Sequence, residues 1–393
     1  EKMTLFWHGH FTTGAREVRA ADSLVRQNAF LRQHALAGFR ELLVGISRDP
    51  AMLVYLDNAS NRKGKPNENY ARELLELFTL GEGNYTEKDI LHAARALTGW
   101  TVGPRGFRFA PRAHDHGEKT FLGRTGYFDG QDIINIILEQ PAAGRFIAGK
   151  ILKFFVCQDP DSDLTEALAA ELRGNGYDFR RTMKALFRSE AFYADKHQHG
   201  LIKSPVELVV GTARLLETPI NDLDAAIFAL AAMGQELYQP PNVKGWDGGR
   251  KWINTATLFA RYNFASDLLR GSPPGAGFRM QMLDQRRARM MEELEDNMEQ
   301  YPGMKLPERQ VASARQPPFD PTPVVERHKL RTAQQAVDHF VARLLQQPIA
   351  ADRRGVLLRT LEGGEGDFDA GRDRRRVVTL INVILNTPEY QLN

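Results

Sequence analysis

Asn67-Glu68-Asn69-Tyr70-Ala71-Arg72-Glu73-Leu74-Leu75-Glu76-Leu77-Phe78-Thr79-Leu80-Gly81 is the stretch from which the fold class follows. Tyr70, Leu74, Leu77 and Phe78 recur at the spacing of one helix face. Asn67 is a residue that caps first turns, and Gly81 one that ends helices. Asn69, Glu73 and Glu76 form a polar stripe beside the apolar one. The same periodicity extends in both directions. Met3, Phe6, Trp7 and His10 share a face, as do Phe39, Leu42, Leu43 and Ile46. Asp49-Pro50 reads as an N-cap with proline at the first helical position. Thr86 with Asp89 makes a capping box for a helix that carries Ile90, Ala94 and Leu97.

Residues 101–130 break this pattern. Phe107 and Phe109 alternate with Arg108, and Thr120-Phe121-Leu122-Gly123 follows a polar turn, which predicts one small β-hairpin inserted among helices. Helical spacing resumes with Ile133, Ile136 and Ile137, and runs on through residues 163–195, 204–234 and 255–269. The expected architecture is all-α with that hairpin. A helical core spans 1–270, a Met-rich excursion 271–330, and helices in 331–393 complete the same domain.

Composition is that of a folded globular chain: 393 residues, 42% hydrophobic and 26% charged, with a formal charge of only +3. Basic and acidic residues interleave, and Arg372 to Arg376, broken by Asp373, reads as a solvated helix face, so nucleic acid is not an expected partner. No run of about 18 apolar residues exists to span a membrane. The lone Cys157 has no partner for a disulfide and reads as a buried structural thiol. No signal peptide is visible, yet the chain opens inside a helical face, so the natural N-terminus is expected upstream.

Three blocks carry a resemblance: Phe6-Trp7-His8-Gly9-His10-Phe11; residues 67–81, with Tyr85-Thr86 and Ala94-Arg95-Ala96-Leu97-Thr98-Gly99-Trp100; and Pro241-Asn242-Val243-Lys244-Gly245-Trp246, continuing to Trp252-Ile253-Asn254. With His114-Asp115, Lys119 to Gly123 and the closing Thr387-Pro388-Glu389-Tyr390-Gln391, these are similar to the hallmark blocks of the bacterial family known as domain of unknown function 1800. The resemblance implies a protein often exported, to periplasm or medium. It also implies one often encoded beside a "domain of unknown function 1501" protein of phosphatase- or sulfatase-like fold. It lends no catalytic residues.

Candidate chemistry is therefore read from the residues. On a helix, His8 and His10 lie about 200° apart and do not chelate one ion together. His10 falls on the core face, and His8 points elsewhere. Glu73 and Glu76 border the core, where a carboxylate is costly unless paired, protonated or bound to a cation. Salt bridges to Arg72 or Arg95 answer that need, as does a metal. His114-Asp115-His116, with Lys119 close behind, suits a divalent ion or a plain solvent-exposed turn. The sharpest functional expectation is an exported metal-dependent hydrolase or oxidoreductase. His10, Glu73, His114 and Asp115 would ligate zinc, iron or another divalent ion, and Glu73 and Lys119 would do acid–base work. The competing expectation is a non-catalytic partner of the co-encoded protein, using the Met280–Met298 segment or the tryptophan loop. Trp246 and Trp252 either stack on a ligand or staple the loop to the core.

Overall fold

The computed structural model describes residues 1–272, 318–361, 368 and 373–393. The Met280–Met298 segment lies outside the described residues. The chain divides into two compact units, one of residues 1–201 and 237–247, the other of 202–236 and 248–393. The C-terminal helices group with the second unit, whereas the sequence reading carries a single core through residue 270.

The first unit is built from α1 (Lys2–His10), α2 (Ala15–Val18), α3 (Ala21–Gln33), α4 (Phe39–Ser47), α5 (Pro50–Tyr55), α6 (Asn69–Glu73), α7 (Glu87–Ala96), α8 (Gly130–Leu138), α9 (Pro141–Phe155), α10 (Ser162–Gly174), α11 (Phe179–Leu186) and α12 (Glu190–Tyr193). Local chemistry sets several starts. Asp49 accepts from the Met52 N–H at 3.0 Å, and Thr86 and Asp89 close the expected capping box at the head of α7. Trp7 anchors the core: fully buried, it packs against Phe11 and Phe39, and its indole N–H donates to the Ala35 carbonyl at 3.0 Å.

The stretch expected as one helix over 67–81 is two structures. After α6 the chain widens into a π-helical turn, Leu74–Thr79, in which the Leu80 N–H reaches back five residues to the Leu75 carbonyl at 2.8 Å. Inserting a residue into the helical ladder shifts which carbonyls keep an internal partner, and such turns recur at functional sites.

The β insertion is two hairpins rather than one: β1 (Trp100–Gly103) with β2 (Gly106–Phe109), and β3 (Lys119–Phe121) with β4 (Arg124–Gly126), both antiparallel. The second turns through Leu122 and Gly123, both at positive φ (46° and 79°). That is the twist a two-residue hairpin loop requires, but it is adopted here by a leucine where asparagine or aspartate is usual.

The second unit holds α13 (Pro205–Leu215), α14 (Leu223–Ala232), α15 (Thr255–Arg270), α16 (Thr322–Arg327), α17 (Ala333–Leu345), α18 (Ala351–Leu361) and α19 (Arg374–Leu385). Its buried residues include Leu208, Phe264, Phe340 and Ile381. The closing block is tied in by polar contacts. Lys203 donates to the Tyr390 carbonyl at 2.7 Å and sits 3.9 Å over its ring, the Tyr390 hydroxyl meets Thr212 at 2.7 Å, and buried Arg261 donates to the Gln391 side chain at 3.2 Å. Among the described residues no helix is long and apolar enough to cross a membrane.

Candidate functional site

At the C-terminal end of the π turn two carbonyls are free for partners from elsewhere in the first unit. The Phe78 carbonyl lies 3.1 Å from His10 Nε2, and the Leu77 carbonyl accepts from Lys150 Nζ at 2.9 Å. Lys150 Nζ is also 3.1 Å from His10 Nδ1. A carbonyl only accepts, so Nε2 carries the histidine proton and Nδ1 is left to accept from Lys150. His10 is buried and held well below the usual histidine range, first by burial and then by the Lys150 charge, with the Phe78 carbonyl opposing. Lys150 is half-buried. Burial, followed by the charges of Lys244 and Lys153, lowers its ammonium to about 7.

The first and third sequence blocks also meet here. Gly245 stands at φ +88°, and a Cβ on it would lie 2.6 Å from the Gly9 carbonyl and 3.0 Å from Thr12 Cγ2. Thr12 donates its hydroxyl proton to the Val243 carbonyl. His8 does point away from His10, but it too is buried: it accepts from the Tyr238 N–H at 3.3 Å under that loop. Its ring lies 4.7 Å from that of Tyr238 and 5.9 Å from that of Trp246. Burial lowers the His8 imidazolium to about 4. Trp246 thus staples its loop to α1, while Trp252 is buried in the second unit.

The other expected site residues form a separate cluster around the hairpins. Arg95 grips Asp115 through Nε at 2.8 Å, a pair that is mostly buried, and this guanidinium holds the Asp115 carboxyl down to about 2. The buried His114 places Nδ1 2.8 Å from the Thr98 carbonyl. The Thr98 hydroxyl accepts from the Asp115 N–H at 2.7 Å and donates to the Arg95 carbonyl at 2.6 Å. Lys119, expected as an acid–base group, is buried and donates to the Asp115 and Gly117 carbonyls at 2.6 and 2.9 Å. It closes a turn. His116 is exposed.

Glu73 is half-buried and accepts no hydrogen bond among the described residues. Burial and the neighbouring Glu76 push its carboxyl up, against Arg72. Glu76 accepts from the Tyr85 hydroxyl at 3.1 Å, and Arg72 pairs with Glu68 and Glu87 rather than Glu73. His10, Glu73, His114 and Asp115 therefore do not form one ligand set: among the described residues no three His, Cys, Asp or Glu side chains stand together to hold a metal ion.

The residue that sequence reasoning missed is Lys150. Its signal is positional. Ala143, Ile147, Lys150 and Phe154 run i, i+4, i+7, i+11 along α9, so a lysine occupies a core-facing register.

A helical protein with a lysine–histidine pair docked on a π turn is thus the class that fold and site define. The chain belongs to the family described as protein of unknown function, DUF1800, whose model matches residues 1–392. No curated protein and no solved structure matches it.

Proposed function

We propose that this protein is an enzyme whose reactive group is the Lys150 amine, acting as base or nucleophile toward a carbonyl-bearing substrate. The carrying observation is the pairing of Lys150 Nζ with His10 Nδ1 and the Leu77 carbonyl. A neutral amine has two N–H donors, and both have an acceptor, which leaves the lone pair unassigned. An ammonium would bring a third donor that no hydrogen bond among the described residues takes up, with the Phe146 ring centroid 4.8 Å from Nζ. A lysine tuned toward neutrality by burial and neighbouring cations is the form that proton abstraction and Schiff-base chemistry need. Competitive acetylation across pH, read at Lys150 by peptide mass spectrometry, tests this reading. A half-reaction point near pH 7 is expected. A midpoint above pH 10, or no reaction across the range, removes the proposal.

The second reading is a binding role for a co-encoded protein of the DUF1501 family, in an exported pair. One observation favours it. A row of rings runs from Phe155 through Phe187 and Phe192 to Tyr193, each within 5.0–5.8 Å of the next, and Phe187 and Tyr193 are exposed. Co-expression with that neighbour tests it: a complex weakened by Tyr193→Ser supports the role, and separate elution of the two proteins counts against it.

A further inference from the structure

The environment of Lys150 bears on what it would act upon, given the reading of its amine above. The charges that reach it are those of Lys244, in the loop seated on α1, and Lys153, one turn along α9, both exposed. No carboxylate bonds to Lys150 among the described residues. Lys244 does pair with Asp247 at 3.3 Å, but both side chains are more than half exposed, so that pair is readily exchanged for another anion. The Phe146 ring lies 4.8 Å from Lys150 Nζ, an apolar wall on one side of the amine. One amine with a spare lone pair, two flanking cations and an aromatic wall describe a receptor for a small carbonyl compound bearing a negative charge.

We infer that Lys150 captures an anionic aldehyde or ketone, an oxo acid, as a Schiff base, with Lys244 and Lys153 drawing in its carboxylate. The Nζ lone pair attacks the carbonyl carbon, and the C=O π pair moves to oxygen, which is protonated to give a carbinolamine. The C–O bond then breaks, oxygen leaves as water with the two hydrogens the amine brought, and the C=N bond forms. No oxidant or reductant is consumed. The protonated imine keeps one N–H, for which the Leu77 carbonyl or His10 Nδ1 is the acceptor.

The test uses the full chain with glyoxylate and cyanoborohydride near pH 7.5, the hydride converting any imine to a stable secondary amine. Peptide mapping then reads where the carboxymethyl group sits. Labelling of Lys150 is expected at about tenfold or more the mean of the exposed lysines, because the deprotonated fraction governs capture. Lys244→Ala raises the Lys150 amine and so slows capture of both aldehydes, and it is expected to lower glyoxylate labelling about fivefold more than labelling by the neutral glycolaldehyde. Labelling of Lys150 no greater than that of exposed lysines overturns Schiff-base capture. If the acetylation midpoint still lies near pH 7, the amine reading survives without it; if that midpoint also fails, both fall. Equal effects of Lys244→Ala on the two aldehydes overturn the anionic substrate alone.

Discussion

Adding one methyl group at either of two glycines that nearly touch is expected to move stability in opposite directions. Gly245→Ala places a Cβ 2.6 Å from the Gly9 carbonyl, closer than real Cβ atoms approach backbone, and does so at φ +88°. The left-handed backbone costs an L-residue about 1–2 kcal/mol. Forcing a methyl into an occupied space adds about 1–3 kcal/mol. The sum, roughly 2–5 kcal/mol, is capped by the cost of lifting the 237–247 loop off α1, because the chain relaxes by whichever route is cheaper. Gly9→Ala is the counterpart. Gly9 lies inside α1, and its added Cβ would meet nothing within 4 Å. Gly9 is the penultimate residue of α1, so replacing it by alanine is expected to stabilise by at most about 0.5–1 kcal/mol, the mid-helix value. Urea unfolding followed by tryptophan fluorescence reads the global change. Hydrogen exchange at Ala15, whose N–H donates to the Tyr238 carbonyl at 2.8 Å, reads the loop. An unchanged midpoint and unchanged Ala15 protection in Gly245→Ala, or shifts of the same sign in the two variants, would rule out the clash at Gly9.

Other outcomes follow from the same geometry. Lys150 drops from 10.5 to about 7 on folding, so between those values the unfolded chain binds the extra proton and stability rises with pH. Lys150→Met should make that slope shallower, leaving the share from Lys203, lowered to about 8, and paired unfolding curves at pH 7 and 9 will read the difference. His8, lowered to about 4, stays neutral from pH 5 to 8; a resonance assigned to His8, by its loss in His8→Gln, that titrates in that window would contradict its burial under the loop. Thr98→Val strands the Asp115 N–H and should cost about 1–3 kcal/mol in chemical denaturation, while Thr98→Ser costs less. Protein purified without chelator should carry well under one equivalent of zinc, iron, manganese or calcium by elemental mass spectrometry. A full equivalent that His114→Ala removes would restore the metal site.

Helical architecture was legible because apolar spacing and capping chemistry are both local. Thr86 with Asp89 and Asp49 before Pro50 act in the structure as their sequence implies. The π turn at Leu74–Thr79 was not legible. Its residues suit an ordinary helix, and the partners that take up its carbonyls, His10 and Lys150, lie some 70 residues away on either side. The second hairpin stayed hidden because Leu122 adopts a conformation its side chain does not advertise. At the candidate site, His10 faces inward as its place on the helical stripe implies, but a backbone carbonyl and a lysine meet it rather than Glu73. Lys119 and Asp115 drew attention as charged residues in a polar turn, yet burial and Arg95 turn them to holding that turn together. A charged side chain announces its chemistry in sequence, whereas its occupation by neighbours is decided by packing.

The chain passes between its two units three times, at 201–202, 236–237 and 247–248. Synthesis therefore interleaves the two units. When residue 201 leaves the ribosome, the residues of α1 and the π turn have been made, but the strip that covers His8 has not. It arrives only after a piece of the other unit has been made. A gene fragment stopped before residue 237 would thus encode the Lys150 pair with His8 uncovered, and no single cut would yield both units whole.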